Sequence, residues 1–247
     1  MDKNKYSRDE FKYLAMLCER SKKYELMVEY CISFCKLSTS LNDEEKKILE
    51  AAFKNLYSIK IASWNKMQKI IKKEESGYNE KKKNLLINCD INVKKELFDL
   101  FKNINETCDY LILREVNNES VVFYYKLKAD YSRYSIPLLS INDIEEKKII
   151  KLTERLYKET YELSERFLPI TSQLRLEIVI NTSVYYYNNI KNAEFAFIIG
   201  RLMMRECIKI KGNLDPKRDI GHLKLIEILQ NNIKNWESKS KVDFVFY

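Results

Sequence analysis

Glycine, proline and histidine are scarce in this chain, and their scarcity excludes several kinds of active site. The 247 residues include only 4 glycines, 3 prolines and 1 histidine. So few turn-forming residues predict long helices joined by short connections. The motifs GxxxxGK[ST], GxGxxG, HExxH and GxSxG are all absent from the sequence. Without a recognisable nucleophile and base, we expect a binding protein that is not an enzyme.

Long apolar runs and closely paired cysteines are also missing. No apolar run approaches the roughly 18 residues of a membrane span, and the N-terminal MDKNKYSRDE lacks the apolar core of a secretory signal. The 6 cysteines are scattered without a CxxC pair, which predicts buried free thiols in a reducing compartment, the cytoplasm. A zinc site would need distant partners, so we expect no metal and no cofactor.

The charge of the chain is positive but not concentrated. Lysine and arginine total 44 against 36 acidic residues, a formal net charge of +8. Basic proteins often bind phosphate groups, although here acidic residues are mixed among dispersed lysines. One short stripe, Lys66, Lys69 and Lys73 continued by residues 81–83, leaves binding to anionic lipid or nucleic acid as an alternative function.

Apolar residues recur with a helical period throughout, and no strand alternation persists. The pattern predicts nine helices at about 7–20, 24–37, 43–74, 79–112, 118–137, 144–166, 172–190, 193–209 and 219–237. Ser7 with Glu10 fits a capping box, and Asn42 and Asn142 precede acidic first turns. We expect an all-α antiparallel array, and the chain length suits one large domain or two small ones. The uneven helix lengths argue against a tetratricopeptide array.

The segment VVFYYKLKADYSRY at 121–134 has the most informative pattern of side chains. On a helix, Lys126, Asp130 and Arg133 share one face, and Tyr134 lies about 100° further round. A guanidinium, an ammonium and a phenol hydroxyl on one helix can hold a phosphate. The alternative is a solvated, salt-bridged helix face.

Two later segments place asparagine amides on apolar helix stripes. An asparagine can fix an extended peptide by bonding its backbone N–H and C=O groups, although a single one is more often a plain surface residue. The stripes comprise Asn181, Val184 and Asn188 in the first segment, and Leu225, Ile228, Asn232 and Asn235 in the second.

Taken together and in order, these segments resemble the 14-3-3 family. The resemblance rests on FKN…ASW at 53–64, FYYKLKADYSRY at 123–134, LRLEIVINTSVYYY at 174–187 and the stripe that ends at Trp236. It implies nine antiparallel helices, usually in a dimer, with a concave groove in each protomer. It also implies a single helical domain over 1–236 and a C-terminal tail over 237–247. It also implies a function: binding of phosphoserine or phosphothreonine motifs in partner proteins, as an adaptor that regulates them.

The resemblance also implies roles for individual residues. Lys54, Arg133 and Tyr134 would bind the phosphate. Asn181 and Asn232 would hold the peptide backbone. The groove wall would be formed or supported by Lys126, Ile180, Val184, Leu225, Ile228 and Trp236.

Two positions depart from the family pattern. The family has a second arginine seven residues after the lysine that corresponds to Lys54, and this chain has Ile61 there. Lys60 lies about 100° round the helix and should point elsewhere. Losing one charge-assisted partner costs about 1.5–3 kcal/mol, or roughly ten- to a hundredfold in affinity. Asn188 replaces the usual glutamate, which restores some positive potential. We expect a weakened phosphate pocket, or alternatively a scaffold or dimer partner that no longer binds phosphopeptides.

The resemblance implies a dimer surface on the first four helices. The residues expected to supply contacts are Leu17, Ser21, Met27, Ser63 and Ile87. Lys23 and Lys94 correspond to a pair of opposite charges in the family and would repel if they met. We expect a homodimer, with a heterodimer with another family member as the alternative.

The tail ESKSKVDFVFY is basic and then aromatic, where the family commonly has an acidic tail. We expect a frayed end. The alternative is that Phe244, Phe246 and Tyr247 dock on an apolar groove.

Overall fold

The computed structural model describes residues 6–74, 80–139, 144–212 and 214–239. All regular structure in these ranges is helical, which confirms the predicted all-α class. The nine α-helices within them are α1 (Arg8–Arg20), α2 (Tyr24–Lys36), α3 (Asp43–Glu74), α4 (Glu80–Ile112), α5 (Asn118–Ser135), α6 (Ile144–Phe167), α7 (Gln173–Tyr185), α8 (Ala193–Lys211) and α9 (Ile220–Lys239). Apart from the end of α7, each predicted helix limit is within two residues of the observed one.

The chain divides into two compact units, Met1–Ser140 and Ile141–Tyr247. Helices α1 to α5 belong to the first unit and α6 to α9 to the second. The predicted limits of 1–236 for one domain and 237–247 for a tail stay predictions. Helix α9 continues to Lys239, whereas the proposed aromatic contacts of the tail and the Asn142 cap lie outside the described residues.

Capping interactions set the beginnings of α1 and α3. Ser7 and Glu10 form the predicted capping box, in which the Ser7 backbone N–H donates to Glu10 Oε2 at 2.7 Å. Asn42 and Glu45 exchange the same two bonds, both at 3.0 Å. The second carboxylate oxygen of Glu45, Oε1, forms an ion pair with Arg8 Nη2 at 2.7 Å. One buried carboxylate therefore caps α3 and ties α1 to it.

The long helices α3 and α4 are buried along only part of their length. Buried residues of α3 lie between Glu45 and Leu56, and those of α4 between Leu97 and Leu111. The remaining parts expose large apolar side chains, namely Ile59, Ile70, Leu85, Ile87 and Ile91. These parts of both helices therefore extend past the core that this chain supplies.

The helix predicted over 172–190 is helical to residue 190, but its last part is a π-helix that follows the α-helix α7. The chain forms this π turn over Tyr186–Ile190 and leaves it at Lys191, whose φ is 62°. Tyr185 donates to the backbone oxygen of Ile150 in α6 at 2.8 Å. Tyr186 contacts Phe195 in α8 and Tyr187 stacks on Trp236 in α9. The wider turn lets three successive tyrosines pack against three different helices, which local periodicity does not reveal.

The cysteines are all free, and five of the six are buried. Cys89 on α4 is exposed, which corrects the expectation that all are buried. Burial raises the pKa of Cys31, Cys35 and Cys108 well above the ordinary value, and that of Cys207 to about 11. Among the described residues, no group of His, Cys, Asp and Glu side chains is arranged to hold a metal ion. None of the described helices is long and apolar enough to span a membrane.

Candidate functional site

Aromatic side chains join α3 to the end of α5. Tyr57 stacks on Tyr134 with the ring centroids 4.8 Å apart and the planes at 14°. Phe53 meets Tyr131 edge to face at 6.1 Å. The two α3 residues are four apart in sequence and the two α5 residues three apart, so each pair lies on one helix face. These contacts pack α3 against the last two turns of α5.

Lys54 and Ile61 lie on α3 on either side of Tyr57. They are three residues before it and four residues after it, so all three lie in a row along the helix. Lys54 is exposed, and Ile61 is half-buried. Lys60 turns to α4 instead, where its Nζ lies 2.7 Å from Glu96 Oε2. Lys60 therefore does not replace the arginine that position 61 lacks.

Arg133 and Tyr134 present a cation and a hydroxyl next to this row. The Arg133 guanidinium lies over the Tyr134 ring, 4.9 Å from its centroid. Burial raises the pKa of Tyr134; Asp130 raises it further, while Arg133 and Lys126 oppose the rise. The Tyr134 hydroxyl consequently keeps its proton beyond the usual pH range and can donate a hydrogen bond to an anion.

Lys126 lies below the surface, which corrects the expectation that it forms part of an open groove wall. Only 5% of the residue is exposed. Its Nζ lies 2.9 Å from Glu50 Oε1 and 3.7 Å from Asp130 Oδ2. The ammonium therefore forms a buried ion-pair link between α3 and α5 and balances the charge of the two carboxylates. Because it is buried, it would act on a bound ligand only indirectly.

The charges around this site nearly cancel. Besides Arg133 and Lys126, the carboxylates of Asp130 and Glu50 act on the Tyr134 hydroxyl. Lys54, exposed on α3, adds one positive charge to these two cations and two carboxylates. The net charge of these five groups is therefore +1. A phosphate monoester carries about −1.5 to −2 at neutral pH. A second guanidinium at the site would raise the net charge to +2 and would balance such an anion better.

The second unit contains the predicted backbone-binding amides. Asn181 on α7 and Asn232 on α9 are both half-buried. The π turn that follows α7 contacts α9 through Tyr187 and Trp236, whose rings stack at 4.9 Å and 19°. Of the predicted wall, Ile180 and Trp236 are buried supports, Val184 and Leu225 are half-buried, and Ile228 is 46% exposed. Asn188 is exposed in the π turn.

The predicted dimer contacts differ in their exposure. Leu17 is 39% exposed and Ile87 is 44% exposed, and Ser21 and Ser63 also lie at the surface. Met27 is fully buried, so it supports α2 from inside the unit and cannot offer a contact surface. The sequence analysis missed its neighbour Leu26, which is 40% exposed. The i, i+4 pattern of the apolar residues Met27, Cys31 and Cys35 on α2 already indicates which face is buried.

The charge of Lys94 is partly balanced within its own helix. Its Nζ lies 3.0 Å from Asp90 Oδ2, one turn earlier on α4. The other oxygen of Asp90 accepts a hydrogen bond from Trp64 Nε1 at 2.9 Å. Lys23 is exposed at the beginning of α2. If Lys23 and Lys94 met across a dimer interface, their repulsion would be weaker than the two residue types alone suggest.

The comparison with known families settles which family this fold represents. The family model described as 14-3-3 protein matches residues 14–237. The chain belongs to the 14-3-3 family. Membership confirms the resemblance found in the sequence and supports an adaptor role that involves phosphorylated client proteins. Proteins of the 14-3-3 family are adaptors rather than enzymes.

Curated 14-3-3 relatives match nearly the whole chain. A 14-3-3-like protein B of Hordeum vulgare is 31% identical over 240 residues, which cover 96% of this chain and 91% of the relative. The 14-3-3 protein 8 of Solanum lycopersicum is 30% identical over 232 residues, 94% of this chain and 88% of the relative. The checkpoint signal transducer rad25 of Schizosaccharomyces pombe is 29% identical over 236 residues, 95% and 87% of the two chains.

Proposed function

We propose that this 14-3-3 family member is a cytoplasmic, non-enzymatic adaptor that binds phosphoserine or phosphothreonine motifs and thereby regulates its client proteins. The observation that supports this most strongly is the stacking of Tyr57 on Tyr134, because it brings Lys54 on α3 next to the Arg133 end of α5. Arg133 would bind the phosphate in a bidentate manner, Lys54 would act as a point charge, and Tyr134 would donate its hydroxyl.

The second unit would contribute to binding of the peptide main chain. Asn181 and Asn232 each carry an amide that can donate to a backbone carbonyl and accept from a backbone N–H. Ile228, Val184 and Leu225 supply apolar surface near these helices. Such surface would favour clients whose bound segment carries an apolar residue.

The phosphate pocket would be weakened by Ile61. Its half-buried side chain has no hydrogen-bond donor, and it occupies the position on α3 from which a second guanidinium would reach the ligand. Asn188 in place of a glutamate removes one nearby negative charge without supplying a lost bond. We therefore expect weak binding, or binding restricted to selected phosphopeptides.

The first prediction concerns dependence on phosphate. A fluorescent peptide with one phosphoserine should bind the full chain, and the same peptide with an unphosphorylated serine should bind at least about tenfold more weakly, because a charge-assisted hydrogen bond contributes about 1.5–3 kcal/mol. Fluorescence anisotropy gives both affinities. Clients captured from a lysate should be lost after phosphatase treatment. Equal binding of the two peptides would favour instead a scaffold that no longer binds phosphate.

A second candidate function, the scaffold or dimer partner without phosphopeptide binding, is favoured by Ile61 alone. Binding to generic polyanions is less well supported, because Lys82 in the basic stripe pairs with Glu74 at 2.6 Å. Steep salt-dependent binding to duplex DNA or anionic vesicles, without binding to the phosphopeptide, would favour that alternative.

The second prediction concerns assembly. We propose a homodimer, or a heterodimer with another family member, because α3 and α4 expose apolar side chains beyond the core of the chain. Ile87→Glu should shift the sedimentation coefficient toward that of the monomer, because it would bury an unpaired charge. Leu113→Glu, one residue past the C-terminal end of α4 and 82% exposed in the wild type, is the matched control. Wild type that sediments as a monomer at both low and high salt would contradict a homodimer.

A further inference from the structure

An open groove runs between α8 and α9, and the predicted peptide-binding residues do not line it. The cavity measures about 340 Å³ and its wall is mainly hydrocarbon. The lining residues are Arg201, Met204, Arg205, Ile208, Gln230, Ile233, Lys234 and Glu237. On α9, the four lining residues lie about 100° to 160° round the helix from Asn232, so α9 presents two different faces.

The groove combines an apolar floor with a cationic rim. Ile208 on α8 is 65% exposed, so its side chain offers apolar surface beside the groove. Arg201 pairs with Glu237 at one end of the groove. Within the described part of the chain, Arg205 and Lys234 have no carboxylate in ion-pair range. The surface therefore suits an apolar segment that also carries a negative charge.

The chain itself contains a segment of this composition directly after α9. Residues 242–247 read VDFVFY, with one acidic residue among five apolar or aromatic ones. In an extended conformation Val242, Phe244 and Phe246 lie on one side and Asp243 on the other. Aromatic side chains of this size bury large apolar areas when they find a concave partner.

The length of the segment matches the groove. The lining residues of α9, from Gln230 to Glu237, span about 10 Å along the helix axis. Six extended residues span about 20 Å, and Lys239 is only two residues past Glu237. A chain that reverses direction after Lys239 can therefore cover the whole groove.

We propose that residues 242–247 fold back along the groove between α8 and α9 of the same chain. Phe244 and Phe246 lie on Met204, Ile208 and Ile233, and Asp243 meets the cationic rim at Arg205 or Lys234. The occupied face is the one opposite Asn232, so the docked segment leaves the predicted peptide-binding face of α9 open.

A methionine methyl group inside the groove provides the readout. In the full chain labelled with ¹³C-methyl methionine, an aromatic ring on Met204 should shift its methyl resonance upfield. The double variant Phe244→Ala/Phe246→Ala should lose this shift, while the buried methyl of Met27 in the other unit stays unchanged. The Met204 resonance is identified with Met204→Leu, a volume-conserving change. An unchanged Met204 resonance in the double variant would overturn the proposal.

A groove variant and a dilution series complete the test. Ile208→Glu should release the segment and also abolish the Met204 shift. Leu202→Glu, on the same helix, 51% exposed and outside the groove lining, should keep it. The shift should be the same at all protein concentrations, because docking within one chain is independent of dilution. A shift that disappears on dilution would identify the occupant as a second copy and contradict docking within the chain.

Discussion

Replacing Arg133 with glutamine should weaken phosphoserine-peptide binding about a hundredfold or more. Each charge-assisted hydrogen bond contributes about 1.5–3 kcal/mol, and a bidentate guanidinium makes two of them, so the loss is about 3 kcal/mol at least. The expected effect is large because α3 has isoleucine at position 61, so no second guanidinium there would contribute to binding the phosphate. Titration of the labelled phosphopeptide by anisotropy measures it.

The matched control for this change is Lys128→Gln. Lys128 is on the same helix, and its ammonium pairs with Asp109 of α4, away from the Tyr57–Tyr134 contact. Both variants remove one positive charge, so a general electrostatic effect would weaken binding equally in the two. Similar affinities for Arg133→Gln and wild type, with unchanged thermal unfolding, would contradict a direct role of Arg133 in phosphate binding.

Replacing Ile61 with arginine should strengthen phosphoserine-peptide binding roughly ten- to a hundredfold, the free energy of one charge-assisted partner. Ile61 is half-buried, so the arginine stem can cover the same apolar neighbours while its guanidinium extends toward the ligand. It would join Lys54 and Arg133 around the phosphate. The gain should disappear with the unphosphorylated peptide, which the same titration checks.

Ile59→Arg provides the matched control for the gain. Ile59 is 49% exposed on the same helix, and two residues correspond to about 200° of rotation, so its side chain points away from Ile61. The substitution adds the same charge without adding a ligand. Equal gains from the two variants, or wild type that already binds as tightly as Ile61→Arg, would contradict the missing-ligand explanation.

Much of the fold follows from local features of the sequence. Apolar residues three and four apart predict the helices, and the Ser7–Glu10 pair marks the beginning of α1. The end of α7 could not be predicted in this way. Its π turn depends on Tyr185, Tyr186 and Tyr187 finding partners on other helices, and those contacts arise only in the folded chain.

The sequence predicts contacts of the candidate site between residues of one helix, but not contacts between residues of different helices. The spacing of Lys126 and Asp130 predicts that they share one face, and the two lie 3.7 Å apart. The stronger contact of Lys126, with Glu50 at 2.9 Å, joins residues 76 apart in sequence and buries the ammonium. The stacking of Tyr57 on Tyr134 is equally long-range. Single-helix geometry contains no information about either contact.

Because five of the six thiols are buried, Cys89 can be labelled selectively with a spectroscopic probe. Thiol-reactive reagents attack the thiolate, and burial raises the pKa of Cys31, Cys35 and Cys108, which keeps these thiols protonated and shielded. Cys89 is exposed on α4, two residues from Ile87. If two protomers assemble as proposed, one maleimide spin label at Cys89 of the unmodified sequence would report a single distance between them, which pulsed electron resonance can measure.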